Sequence, residues 1–194
     1  YPAFMTRGEV KAKVSDFEAG GATWPRDPDG SPLYPQGDRH LSDTERKTLI
    51  ESGIRHSWRL DMDKALARVS DALTWREICD GAENLVPADP AAWGDVVLSR
   101  SDAPSSYHLS VTVDDAAQGI THVVRGMDLY HATSVHRLLQ ELLGLPQPIY
   151  HHHRLILGTD GRKLSKSEGS TGLAALRDAG LSPLDIRRLL GLEG

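Results

Sequence analysis

The sequence predicts an α/β fold, and three observations carry that prediction. Residues 120–124 (ITHVV) form a short apolar run that ends at Arg125-Gly126. Residues 128–143 follow, with Leu129, Val135, Leu138, Leu139, Leu142 and Leu143 along one helical face. Gly144 and Pro146 then stop the helix, as a left-handed C-terminal residue and a proline do. A strand, a loop and a helix in that order build open α/β sheets, which hold ligands beyond the carboxyl ends of their strands.

The chain has 194 residues, of which 39% are hydrophobic and 25% charged, enough for one domain, or one domain with an insert, around an ordinary core. The net charge of -5 and the pI near 6.0 do not announce a nucleic-acid partner, so any basic face must be local. The single cysteine, Cys79, excludes an intramolecular disulfide and fits a reducing compartment, so a cytoplasmic location is expected. No apolar run reaches the roughly 18 residues of a membrane span, and no signal peptide is visible. The first residue is Tyr1 rather than Met, and the expectation is that the natural N-terminus lies upstream.

In chain order, Thr6 and Glu9 have the spacing of a capping box and predict a helix over 6–16. Residues 20–37 are dense in Gly and Pro and read as a loop with a turn at Asp29-Gly30. A second helix starts at Ser42 or Asp43, with Glu45 in its first turn, and ends by Gly53. Residues 56–60 read as a short strand. Met62, Leu66, Val69 and Leu73 recur at helical spacing within 61–73, and 74–80 fits more than one state. Pro87 and Pro90 interrupt regular structure. Residues 95–100 predict a strand, 101–106 a turn, and 107–113 (YHLSVTV) a second strand by its alternation. Residues 114–118 read as a helical turn ended by Gly119. Two short helices close the chain, over 172–178 and 182–190, the second with a Ser182 cap and Pro183 at its first position. Internal repeats are absent.

Three groups of residues are candidates for chemistry. Tyr107 and Arg125 each border a loop at the edge of a predicted strand; arginine offers a planar fork for a carboxylate and tyrosine adds a hydroxyl. Asp128 opens the next helix and can orient Arg125, although from pattern alone a structural ion pair at such a corner is the stronger reading. His151, His152 and His153 are consecutive, so on a strand they point to alternate faces and do not converge on one metal. Residues 151–172 then pass through the apolar run Leu155 to Leu157 and a Gly158-Thr159-Asp160-Gly161 turn to Lys163 and Lys166, among serines and glycines. Two flexible ammonium groups with hydroxyl and amide donors around them suit a phosphate chain.

Arg162 to Ser167 (RKLSKS), after the apolar run and the Asp-Gly turn, resembles the lysine-serine signature of class I aminoacyl-tRNA synthetases. With residues 94–102, 107–115 and 119–126 added, and Asp128-Leu129 after Arg125-Gly126, the chain is similar to the glutamyl branch of that class. Within it the chain is most like the shortened glutamyl-Q tRNA(Asp) synthetases. The resemblance covers nearly the whole chain and is strongest over 93–170. It implies a Rossmann-like core of which 93–145 is the second half, a connecting insert over 1–92, and a lysine-serine loop with terminal helices over 146–194.

The resemblance also implies a ligase chemistry. L-glutamate attacks the α-phosphate of ATP, with Mg²⁺ accompanying the nucleotide, and the glutamyl group passes to queuosine in the anticodon stem-loop of tRNA(Asp). It places Tyr107 and Arg125 on glutamate, Lys166 as a catalytic and ATP-binding residue, and Lys163 in support. Two departures stand out. A His-x-Gly-His or His-x-Gly-Asn signature is missing, which leaves this stretch inactive by itself as an expectation. The zinc site common in the family would put cysteines where Ala3, Met5 and Asp38 stand, with Tyr34 kept, so zinc is expected to be absent and the loop held by packing. The alternatives are a piece of an ordinary glutamyl-tRNA synthetase and an inactive nucleotide- or tRNA-binding module.

Overall fold

The computed structural model describes residues 1–158, 161, 163, 164 and 172–192. It divides into two compact units, residues 1–152 and 153–194.

The first unit opens with β1 (Pro2–Ala3) and α1 (Arg7–Ala19). The predicted capping box is present: Glu9 N donates to Thr6 Oγ1 at 3.3 Å and Thr6 N to Glu9 Oε2 at 2.7 Å. A Gly/Pro-rich loop leads through a 3₁₀ turn (Gln36–His40) to α2 (Asp43–Glu51), capped by Ser42 with Glu45 in the same way. Strand β2 (Ser57–Arg59) follows, then α3 (Met62–Leu66), which is shorter than its apolar spacing predicted.

Strands β3 (Thr74–Cys79) and β4 (Ala82–Pro87) form a hairpin that the sequence reading did not find. Its two-residue connection, Asp80-Gly81, has φ of 51° and 77°. Positive φ at both positions is the turn whose twist matches paired strands. After a 3₁₀ turn (Ala91–Trp93) comes β5 (Val97–Arg100).

The strand predicted over 107–113 is instead the first part of α4 (Tyr107–Ala117). Ser106 caps it, accepting from Leu109 N at 3.3 Å. Val111, Thr112 and Val113 lower helix propensity and make the run look like a strand. Packing decides otherwise: Thr112 is buried, its hydroxyl turned back to His108 O at 2.8 Å, and one helical turn earlier His108 meets the next helix.

Strand β6 (His122–Gly126) leads through a 3₁₀ turn (Met127–Leu129) to α5 (Thr133–Leu143), so the predicted 128–143 helix is broken near Tyr130. Gly144 ends it in the left-handed region at φ 64°, as predicted. Strand β7 (Ile149–His153) closes the unit. One sheet runs β1-β2-β5 and the other β4-β3-β7-β6, with β3 and β7 parallel.

Helix α5 is the centre of the core. Val135, Leu138 and Leu139 are buried with Met62, Ala65, Leu73, Trp93, Val96 and Ala132. Its polar residues Thr133, Ser134, His136 and Gln140 are buried too. Each makes at least one hydrogen bond, as buried polar residues generally do; Ser134 Oγ takes Asp89 N at 3.0 Å and Gln140 Nε2 donates to Tyr150 Oη at 2.9 Å, while Gln140 Oε1 has no partner among the described residues.

In the second unit, Leu157 and Lys163 pair across the predicted turn, where Gly161 N donates to Gly158 O at 3.0 Å. Helices α6 (Leu173–Asp178) and α7 (Pro183–Leu189) follow, the latter capped by Ser182 and Asp185. Among the described residues no helix is long and apolar enough to cross a membrane.

Candidate active site

Arg125 sits near the carboxyl end of β6 and Tyr107 on the first turn of α4. The fold brings both of them against one imidazole. Arg125 Nη1 lies 3.0 Å from His136 Nδ1, and the Tyr107 ring centroid lies 5.9 Å from that of His136. Tyr107 is exposed and lines a cleft of about 430 Å³ with His108, Trp93, Val97, Arg100 and Asp27. A wider cleft of about 710 Å³, between α1 and the Gly/Pro-rich loop, is lined by Met5 and Tyr34 of the zinc-like loop but by neither Tyr107 nor Arg125. Chemistry therefore favours the smaller one.

Arg125 is held on three sides. Nε donates to His152 Nε2 at 3.0 Å, Nη1 to His136 Nδ1 at 3.0 Å, and Nη2 to Thr133 Oγ1 at 2.6 Å, while the Tyr150 ring lies 5.0 Å beneath the guanidinium carbon. Asp128, the sequence's candidate for orienting it, lies in the 3₁₀ turn between β6 and α5. Behind the arginine, buried Glu77 of β3 receives His152 N at 2.8 Å, His152 Nδ1 at 2.8 Å and Trp75 Nε1 at 3.1 Å. On α4, His108 Nδ1 lies 3.0 Å from His136 Nε2.

Burial and the arginine disfavour the protonated form of these imidazoles. Burial first, then the Arg125 charge, pushes His136 down to about 2 and lowers His108. Burial lowers His152 as well, against the opposing pull of Glu77. Burial raises the Tyr150 phenol, with Gln140 and Arg125 working the other way.

Of the histidine run, β7 turns His152 inward and leaves His153 exposed. Among the described residues no group of His, Cys, Asp and Glu is arranged to hold a metal. Lys163 is exposed in the second unit; Lys166 lies outside the described residues. His108, Thr133, His136 and Glu77 were missed in the sequence. The signal was the spacing of Thr133, His136 and Gln140 at i, i+3 and i+7, a polar stripe that reads as a solvent face but is buried.

The loop that resembles a zinc site has another arrangement. Tyr34 Oη donates to Asp38 Oδ2, which also accepts Phe4 N at 2.8 Å, while Met5 N donates to Tyr34 Oη at 3.2 Å. Arg59 stacks on the Tyr34 ring at 3.9 Å. A phenol and a carboxylate, each committed to the other and to backbone amides, do not fit zinc. The loop is held by these hydrogen bonds as well as by packing.

The chain is 41% identical to the glutamyl-Q tRNA(Asp) synthetase of Rhodobacter capsulatus, over 99% of its own length and 66% of that protein's. It is 36% identical to glutamate–tRNA ligase 1 of Rhizorhabdus wittichii, over 100% of the chain and 40% of the relative. The crystal structure of glutamate-tRNA synthetase from Elizabethkingia anophelis superposes with a TM-score of 0.63 at 28% identity, covering 87% of this chain and 32% of that one. The chain thus spans at most about two-thirds of these proteins. Residues 23–194 match the model for the catalytic domain of class I tRNA synthetases (E and Q), and the chain belongs to that family.

Proposed function

We propose that the protein carrying this chain is a ligase that activates L-glutamate with ATP and passes the glutamyl group to queuosine in the anticodon of tRNA(Asp). The observation that carries this reading is Arg125, a guanidinium anchored by imidazole and hydroxyl acceptors, one of which, His136, also meets Tyr107 and His108 of the cleft. Such a group suits a carboxylate ligand, because its charge is fixed in place and not already cancelled. The glutamate side-chain carboxylate binds there, with Tyr107 adding its hydroxyl. The substrate's α-carboxylate oxygen then bonds to the α-phosphorus of ATP, the α–β phosphoanhydride bond breaks, and pyrophosphate leaves. Lys166 and Lys163 act on the phosphates, and Mg²⁺ bound with ATP supplies further charge neutralisation. Queuosine displaces AMP in the second step.

On this reading residues 93–145 are the second half of the Rossmann-like core, 1–92 the connecting segment, and 146–194 the lysine-serine loop with its terminal helices; the reaction takes place in the cytoplasm. The identity to the Rhodobacter capsulatus protein favours queuosine as acceptor. A second reading, an ordinary glutamate–tRNA ligase, is favoured by the match of the whole of this chain to 40% of the Rhizorhabdus wittichii protein. The test is transfer of labelled glutamate by the full-length protein to tRNA(Asp) with and without queuosine, and to tRNA(Glu). Labelling of queuosine-containing tRNA(Asp) alone supports the first reading. Labelling of the tRNA(Glu) 3′ end supports the second, and no glutamate-dependent reaction overturns both.

A further inference from the structure

We propose that His152, His136 and Thr133 are positioning residues that hold Arg125 without neutralising it, and that the arginine in turn fixes the tautomers of a chain of three histidines. The proposal rests on the reading of Arg125 as the glutamate-carboxylate site for its purpose, but on hydrogen-bond geometry alone for its existence.

A guanidinium has five N–H bonds and no acceptor. Every ring nitrogen facing Arg125 must therefore be an acceptor. His152 Nε2 takes the Arg125 Nε proton, so the proton of His152 lies on Nδ1, where it meets Glu77 at 2.8 Å. His136 Nδ1 takes the Nη1 proton, so the proton of His136 lies on Nε2 and points at His108 Nδ1, 3.0 Å away. His108 then carries its own proton on Nε2. A buried Arg–carboxylate pair would fix the side chain equally well but would cancel most of its charge. Among the described residues the carboxylate hydrogen-bonded into this chain of contacts, Glu77, stands one imidazole away and is occupied by two donors from His152 and one from Trp75, and Asp115 acts on Arg125 only through space. Three N–H bonds of Arg125 are used by the protein. One N–H on each terminal nitrogen is left without a partner among the described residues, and two such donors are what a carboxylate takes.

Long-range ¹H–¹⁵N correlation of the imidazoles in the labelled full-length protein, near neutral pH, tests this without any variant. The expected result is an Nδ1–H tautomer for His152 and Nε2–H tautomers for His136 and His108. An Nε2–H or doubly protonated His152, or an Nδ1–H His136, overturns it. His136→Asn, whose side-chain oxygen can accept where Nδ1 does, should keep the Arg125 Nη signals in slow exchange, and His136→Leu should lose them. In the full-length protein His136→Leu should raise glutamate KM about tenfold with a smaller change in kcat, and His136→Asn should restore most of it. Unchanged KM in His136→Leu contradicts the positioning role. Wild-type protein that ignores glutamate sinks the functional reading instead, and leaves the tautomers to be judged by the spectrum.

Discussion

Tyr34 and Asp38 are bonded to each other, and each also takes a backbone amide from the segment after β1, Met5 N at Tyr34 Oη and Phe4 N at Asp38 Oδ2. Four residues apart in sequence, they tie the chain's first strand to the 3₁₀ turn. Asp38→Ala removes the acceptor for two donors and leaves the Phe4 amide unpaired. Urea unfolding should show a loss of about 1–3 kcal/mol, and elemental analysis of the wild-type chain should find no stoichiometric zinc. About one zinc per chain, or no change in stability, contradicts this account of the loop.

Stability should fall on the acid side of neutrality. His136 is held down to about 2, and His108 and His152 are lowered too, chiefly by burial. The unfolded chain, with histidines near 6.5, then binds more protons than the folded one below that pH. The contribution is therefore fully present above about 6.5 and is lost progressively as pH falls from there toward 2. Thermal melts from pH 7.5 to 5 should show a falling midpoint, less steep in His136→Asn. A midpoint that is flat or rises over that range is the contrary result.

The hairpin offers a purely conformational test. Gly81 has φ 77°, and a Cβ placed there meets nothing within 4 Å. Gly81→Ala should cost about 1 kcal/mol from backbone strain alone, measured by urea unfolding, while Gly81→Asn should cost less. Equal stability of all three proteins would remove the positive-φ turn from the account.

The same turn shows how legible the molecule was. Asp80-Gly81 between two β-compatible runs is a hairpin signal, but Pro87 and the polar Glu83 and Asn84 obscured the second strand. The capped helices α1, α2 and α7 could be read from Ser, Thr and acidic spacing because caps are local. Helix α4 could not, because its β-branched residues favour one state locally and the packing of His108 and Thr112 imposes another. At the proposed site, Arg125 and Tyr107 were singled out by their place beside loops in the pattern and by resemblance. The partners of Arg125 were not, since they come from α5 and β7, and no local pattern says that His136 and His152 converge.

Lys166 lies outside the described residues, and its role is tested by rate. Removing a charge used mainly as pyrophosphate departs should lower turnover without changing substrate affinity. Lys166→Ala in the full-length protein should slow glutamate-dependent ATP–pyrophosphate exchange by on the order of a hundredfold, with glutamate KM little moved, and Lys163→Ala should do less. Unaltered exchange at saturating ATP means the lysine-serine segment is not catalytic.

The most direct test is the glutamate dependence of ATP–pyrophosphate exchange in the full-length protein, compared with Arg125→Ala. Removing the guanidinium leaves a substrate carboxylate unpaired, which costs roughly 2–5 kcal/mol. Glutamate KM should therefore rise by about thirtyfold or more while ATP KM stays near the wild-type value. A folded Arg125→Ala protein with unchanged glutamate KM would contradict the assignment of this site to glutamate.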